Sequence, residues 1–157
     1  MTSTVREGQY WDRVADRNGV VMSTSARGVQ ISLPIADRVS SMRFYRSAFG
    51  FDLVGEPAED GVPEPLSFRI DQRTMLALIP ADGLDWVLGE DRPLAPTGTS
   101  ECLLGMGVAT ERELVVLVER IRSAGGTVLA APEHQPWGYT ALCADPDGHV
   151  WQLSVEP

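Results

Sequence analysis

Apolar residues follow two different spacings in turn along the chain from residue 29 onward. Every second residue over Val29–Ile35 is apolar or small, which predicts a β-strand with one buried face. The next apolar residues recur at near-helical spacing and predict a helix that begins after an N-cap at Asp37 and ends at about Phe49, where Gly50 supplies the stop. Three short apolar runs then predict strands at Phe51–Gly55, Leu66–Ile70 and Thr74–Ile79.

The same order of elements is predicted from residue 102 onward. Cys102–Val108 is predicted to be a strand, and Thr110 with Glu113 has the spacing of a capping box at the start of a helix. This helix is expected to end at Gly125–Gly126. Three more strands are predicted at Thr127–Ala130, Tyr139–Ala144 and His149–Val155, with a turn at Asp145–Gly148 where proline presets φ and glycine accepts a positive φ.

The two series are related by a shift of 75 residues. This shift places Gly50 on Gly125, Pro57 on Pro132 and the apolar run Met75–Leu78 on Val150–Leu153. Identity between the copies is low, but the spacing of the landmarks is kept. The chain is therefore predicted to be α+β, with two βαβββ modules at residues 28–80 and 100–157.

Two segments lie outside this repeat. Residues 1–27 form a polar N-terminal arm, and one hypothesis is a short amphipathic helix around Gln9–Asp16 that docks on the body or on a second subunit. Residues 81–99 form a linker rich in proline, glycine and aspartate. Trp86 in this linker either packs onto the body or covers a pocket, and the sequence leaves both interpretations open.

Composition adds limits on where the protein works. The chain has 157 residues, 43% hydrophobic and 22% charged, which is typical of one globular domain. It contains no apolar run of membrane-spanning length and no pattern of a secretory signal at its start. Cys102 and Cys143 are too few for a disulfide scaffold and are expected to be small buried hydrophobes. We therefore expect a cytoplasmic protein that does not associate with membranes.

Charge narrows the choice of partners. The formal net charge is −9, and all 13 basic residues are arginine. Nucleic acid is a poor partner because phosphate binding requires a basic face. Schiff-base chemistry is excluded because the chain contains no lysine. An acidic surface favours cationic ligands, and the alternative is that the acidity only keeps the protein soluble.

Several of these landmarks, in this order, resemble those of the vicinal-oxygen-chelate superfamily, which includes glyoxalase I, bleomycin-resistance proteins, fosfomycin-resistance proteins and extradiol dioxygenases. The matching stretches are Leu33–Asp37, Phe44–Arg46, Phe49–Phe51, Trp137–Tyr139 and Asp145–Leu153. The resemblance covers roughly residues 28–156. It implies that the modules curl into a half-open mixed barrel with the helices on the outer face, usually completed in a homodimer, with a ligand cavity on the concave side.

The resemblance also implies where a metal would bind. Enzymes of this superfamily usually hold a divalent metal through His, Gln or Glu at four strand positions, and those positions correspond to Gln30, Ala77, Leu103 (or Cys102 if the register slips) and Gln152. Alanine and leucine offer no donor, and neutral amides are weak ligands for zinc, nickel or iron. We therefore expect neither a metal nor another cofactor. Glyoxalase-type isomerisation also needs a base where Gln152 stands, and an amide cannot serve as one.

The leading hypothesis is thus a metal-free small-molecule-binding protein of the bleomycin-resistance type, which sequesters a cationic or aromatic antibiotic or metabolite in a dimer groove. The residues predicted to contact the ligand are Gln30, Ser32, Met75, Trp86, Trp137, Tyr139 and Gln152. Trp151 neighbours Gln152 on a predicted strand, so it points the opposite way and is expected in the core.

Two other classes of function stay open. A glyoxalase-like lyase or isomerase without the usual metal would take its base from Glu101, Asp71, Glu64 or His134, and no spacing selects among them. A ligand-free dimerisation or interaction module would keep the fold and fill its cavity with small side chains. Stabilisation by a ligand would favour the first two classes over the third, because a molecule that binds only the native state raises the melting temperature.

Overall fold

Two four-stranded mixed sheets and three helices make up the described part of the chain, which a computed structural model gives for residues 14–15, 21–22, 28–89 and 91–155. The first module contains β3 (Val29–Ile35), α1 (Arg38–Ala48), β4 (Asp52–Val54), β5 (Leu66–Arg69) and β6 (Thr74–Pro80). The second contains β7 (Leu104–Val108), α3 (Glu111–Ser123), β8 (Thr127–Gln135), β9 (Gly138–Ala144) and β10 (Val150–Val155). The sheets are not closed into a barrel. The α+β class is confirmed.

The repeat predicted from the sequence is confirmed element by element. The strands β3 and β7 begin 75 residues apart, and the same interval separates the ends of α1 and α3 and the ends of β6 and β10. Each sheet has the order leading strand, last strand, third strand, second strand. The leading and last strands are parallel, and the other neighbours are antiparallel. Each module is therefore the same βαβββ unit.

The apolar side chains predicted to alternate along the strands meet the helices on one side of each sheet. Phe44 and Tyr45 of α1 are buried there, as are Leu114 and Ile121 of α3. Trp151 is 2% exposed in the same core, which confirms the prediction from its neighbour on the strand. The helix starts are also as predicted, since Asp37 accepts a hydrogen bond from the Ser40 amide and Thr110 accepts one from the Glu113 amide.

Three local expectations are wrong. The strand predicted from Cys102 begins at Leu104, and Cys102 is exposed rather than buried, whereas Cys143 is buried as expected. In the N-terminal arm β1 (Val14–Ala15) pairs antiparallel with β2 (Val21–Met22), so these residues are not helical. The rest of the predicted helix around Gln9–Asp16 lies outside the described residues. Two apolar residues at strand spacing compete with a helical pattern of only eight residues, too short to be decisive.

The linker contains a helix that its composition conceals. The helix α2 (Ala81–Leu88) follows β6 directly and lies against β3 and β6. Only Leu84 of this helix is buried, and Gly83 approaches the side chain of Ile79. A glycine inside a helix lowers its intrinsic propensity, so packing on the sheet decides the conformation here and a local pattern could not.

A buried hydrogen-bond network joins the two modules. The Tyr45 hydroxyl of α1 donates to Asp145 Oδ2 at 2.7 Å, and His149 Nδ1 lies 2.9 Å from the same oxygen. Asp145 Oδ1 accepts from the backbone amides of Asp147 and His149, and the Trp151 indole lies 3.4 Å from the Tyr45 hydroxyl. The turn predicted at Asp145–Gly148 therefore also fixes the second module to the first.

The same turn makes a second contact to the first module. Asp147 accepts hydrogen bonds from the Ala36 amide at 2.8 Å and from the Ser41 hydroxyl at 3.2 Å, both at the start of α1. Two acidic side chains of one turn thus hold one end of the first module. In the described part of the chain, no helix is long and apolar enough to cross a membrane.

Candidate functional site

Each sheet has a face turned away from the helices, termed its open face. In the first sheet, Gln30 pairs with Met75 and Met75 with Arg69, while Ser32 pairs with Ala77. These side chains lie opposite the buried helix-side residues of the same strands, because neighbouring residues on a strand point to opposite faces. Gln30 and Ser32 are exposed, and their side chains are hydrogen-bonded at 3.3 Å. Three of the predicted ligand contacts, Gln30, Ser32 and Met75, are therefore brought together.

Gln152 lies on the open face of the second sheet. Its neighbours across the strands are Gly105 on β7 and Leu142 on β9. A side chain placed at Gly105 would have nothing within 4 Å, so space is left beside the Gln152 amide. Ser154, two residues further along β10, lies beside Gly107 and Thr140. This face combines an amide, hydroxyl groups and glycine backbone, all of them uncharged.

The predicted aromatic contacts occupy three different places. Trp86 is 84% exposed on α2, so the interpretation that it packs onto the body is wrong. Trp137 is 70% exposed in the hairpin between β8 and β9. Tyr139 lies on the helix side of β9, partly buried against the core and 4.8 Å from the His134 ring. The structure therefore does not bring Tyr139 to the same face as Gln152.

The residues at the family's metal positions do not fit a divalent metal. Gln30 and Gln152 carry amides on two separate sheets, Ala77 is buried with no donor, and Leu103 is exposed just before β7. Among the residues whose positions are described, no group of three His, Cys, Asp or Glu side chains lies close enough to hold a metal ion. Amide oxygens alone are poor ligands for zinc, nickel or iron.

The candidate bases are dispersed over the molecule. Glu64 forms an ion pair with Arg38 at 2.7 Å, and Asp71 accepts hydrogen bonds from Arg73 and Thr74 in the turn before β6. Glu101 is exposed ahead of β7, and exposed His134 lies 3.4 Å from Glu111. None of them lies on β3, β6 or β10, where the predicted amide ligands are found. The arrangement provides no proton-transfer group beside Gln152.

Sequence reasoning missed one charged residue on the open face of the first sheet. Arg69 is exposed, pairs with Met75, and has Asp52 as its cross-strand neighbour on β4. The alternation of Leu66 and Phe68 with Ser67 and Arg69 carried this information, because it places the arginine opposite the buried pair. An anionic group is therefore matched by Arg69 and a cationic group by Asp52 at this end of the face.

Two cavities open on the helix side, not on the open faces. The larger, of 620 Å³, lies between β7, α3 and the end of α1, and the smaller, of 460 Å³, continues along α3. None of the predicted ligand residues lines either of them. Within one chain the open faces are exposed surfaces.

Comparison with known families decides the membership of the chain. Residues 27–153 match the profile described as Glyoxalase/Bleomycin resistance protein/Dioxygenase superfamily. The chain belongs to this superfamily. The match covers both modules and confirms the resemblance read from the motifs. No curated protein matches the chain in sequence.

Solved structures of the same superfamily share the fold. A hypothetical protein, SA1046, from S. aureus is 27% identical, with 83% of this chain and 94% of that one covered and a TM-score of 0.70. A glyoxalase-related enzyme from Fulvimarina pelagi is 29% identical, with 82% and 87% covered and the same TM-score. TnmS3, an antibiotic-binding protein from Streptomyces sp. CB03234, is 23% identical, with 87% and 100% covered and a TM-score of 0.56. The superfamily thus includes proteins described as enzymes and proteins described as antibiotic-binding.

Proposed function

We propose that this member of the superfamily binds a small organic molecule on the open faces of its sheets, without a bound metal and without chemical turnover. The observation that carries the proposal is the uncharged hydrogen-bonding set at the positions where enzymes of the family hold metal. Gln30 and Gln152 each offer one acceptor and two donor hydrogens, and neither can transfer a proton at neutral pH. Such groups orient a ligand and do not activate it.

The surroundings of these amides favour a flat, partly apolar ligand. Gly105 leaves space beside Gln152, and Met75 places a polarisable thioether beside Gln30. Trp86 and Trp137 expose broad aromatic surfaces on neighbouring elements. Because the chain carries a net charge of −9, a cationic ligand is attracted from a distance and its charge is favoured near an indole face. We therefore propose a cationic or aromatic antibiotic or metabolite as the ligand class.

Binding of ethidium, a planar aromatic cation, and of bleomycin tests this proposal. We expect both to raise the melting temperature in a concentration-dependent way, because a ligand of the native state stabilises it by mass action. Naphthalene-2-sulfonate, an aromatic anion, is expected to give a smaller shift. The absence of a shift with every cationic and aromatic compound tested would contradict the proposal.

The positions of the contacts are tested by titration calorimetry with whichever probe binds. Gln152→Ala is expected to weaken binding about tenfold, which corresponds to the loss of one hydrogen bond to a partner in a partly desolvated site. Gln72→Ala is the matched control, since Gln72 is exposed in the turn between β5 and β6 and removes the same amide. Equal affinities of the two variants would show that the ligand lies elsewhere.

A further inference from the structure

The four outer edges of the two sheets are not equivalent. An unpaired edge strand offers a row of free amides and carbonyls, and proteins usually protect such edges with prolines, bulges, shortness or a covering element. The edge strand β3 contains Pro34 and lies under α2, while β4 has only three residues. The edge strand β8 contains Pro132 and two register irregularities. Each of these three edges is therefore protected.

The fourth edge, β7, has none of these protections among the described residues. Its sequence, Leu-Gly-Met-Gly-Val, contains neither a proline nor a charge, and its ladder with β10 is regular over all five residues. On its open face the strand presents only Gly105 and Gly107, so no side chain hinders the approach of another strand. This edge is suited to accept a further β-strand.

An apolar trough runs beside this edge on the helix side. The 620 Å³ cavity is lined by Phe49, Met106, Val108, Val116 and Leu117, and Val116 is 52% exposed on α3. Side chains of a strand added next to β7 would project into this trough, because the helix-side residues of neighbouring strands share one face. Arg112 and Glu113 line the same trough and place both signs of charge at its margin.

The strand is complementary to itself. If two copies of β7 run antiparallel with Met106 at the centre, Leu104 lies opposite Val108 of the partner subunit, and the apolar residues of both lie on the helix side. The glycines of both copies then lie on the open face. A twofold contact requires one patch to fit a second copy of itself, and the paired charges Arg112 and Glu113 also satisfy this condition.

We infer that a second copy of the chain pairs with β7 edge to edge, antiparallel about Met106, and fills the trough with its own apolar side chains. The open faces of the two second modules then form one continuous sheet surface. Gly105, beside Gln152, lies next to Gly107 of the partner subunit, so each copy extends the surface that the proposed function assigns to the ligand. The two Gln152 side chains lie about 14 Å apart, three strand spacings of about 4.8 Å.

Light scattering at about 50 µM protein tests the surface with two matched variants. Wild-type protein is expected at twice the 17.1 kDa chain mass, and Val116→Glu is expected to halve that mass, because two carboxylates would be buried in the apolar trough. Val87→Glu places the same charge on the exposed face of α2 and is expected to keep the doubled mass. A monomeric wild type, a paired Val116→Glu variant, or dissociation of the Val87→Glu variant alone would overturn the inference.

Cross-linking tests the register even if Val116→Glu fails to fold. Met106→Cys in a Cys102→Ser background places two thiols opposite each other, with Cα atoms about 4.5–5.5 Å apart, which suits a disulfide. Mild oxidation is expected to give a covalent dimer, whereas Val87→Cys in the same background is expected to give none. Absence of the Met106→Cys cross-link in a protein of doubled mass would overturn the pairing at β7. Ligand binding is measured separately, so this result leaves the proposed function unaffected.

Discussion

Replacement of Asp145 by alanine is expected to lower the free energy of unfolding by about 3–5 kcal/mol, since each buried polar group that loses its partner costs about 1–3 kcal/mol. The carboxylate is 3% exposed and serves the Tyr45 hydroxyl, the His149 ring and two backbone amides. Alanine leaves the Tyr45 hydroxyl and both amides without this acceptor. It also breaks a contact between the modules, so packing of the second module on α1 is weakened. Urea unfolding followed by circular dichroism measures the change.

Asparagine at position 145 is the matched control for this effect. Its side-chain carbonyl still accepts from the Asp147 and His149 amides, so we expect a smaller loss of about 1–2 kcal/mol for the group that can no longer accept from Tyr45 and His149. If the alanine variant were destabilised by less than about 1 kcal/mol, the turn would not be what holds the modules together.

The same network predicts how stability depends on pH. Burial raises the pKa of Asp145, but hydrogen bonds from His149 and Tyr45 and the charge of His149 outweigh it, and the pKa is lowered overall. This contribution is present above about pH 4 and is lost as the pH falls through the lower pKa of the folded state. Asp145→Asn is therefore expected to lose less stability than wild type in acid. A parallel acid loss in both proteins would assign it to other carboxylates.

At high pH the sign is the opposite one. Burial, and then the negative charge of Asp145, raise the pKa of Tyr45 well above its ordinary value. The neutral phenol therefore contributes stability below about pH 10, and this is lost as the pH rises through the pKa of the folded state. Tyr45→Phe is expected to lack this alkaline loss. An unchanged alkaline limb in the phenylalanine variant would contradict it.

The second large effect is expected at Gly126, between α3 and β8. A Cβ atom there would lie 2.6 Å from Ile121 Cγ2, 2.8 Å from the Ala144 carbonyl oxygen and 2.9 Å from the Phe44 ring. The carbonyl belongs to a sheet and the ring to the core, so neither moves without disturbing its own packing. Gly126→Ala is expected to lower the free energy of unfolding by about 3 kcal/mol, as overpacking of a dense core does.

Gly105→Ala is the matched control for this substitution. A Cβ at Gly105 has nothing within 4 Å, and the residue lies on the edge strand β7. We expect a change within about 0.5 kcal/mol, as for other exposed positions. Similar losses in the two variants, measured by urea unfolding, would mean that glycine at 126 is needed for a reason other than close packing.

The sequence by itself determined the fold to a large degree. Two series of elements related by 75 residues were readable because strands and helices leave different apolar periods, and capping residues such as Asp37 and Thr110 mark the helix starts. The core position of Trp151 followed from strand alternation alone. The amides at Gln30 and Gln152 were also readable, since the same alternation places them opposite the buried residues.

What only the tertiary structure decided concerns contacts between distant parts of the chain. The helix α2 exists because the sheet beneath it provides a surface for Leu84, and Tyr139 faces the core because the hairpin register sets its side. Asp145 reads locally as the first residue of a turn, yet its side chain reaches Tyr45, a hundred positions earlier in the chain. Local patterns record which face of an element is apolar, whereas the partner of that face depends on how the modules pack. The unprotected edge of β7 likewise became visible only once the order of the strands was known.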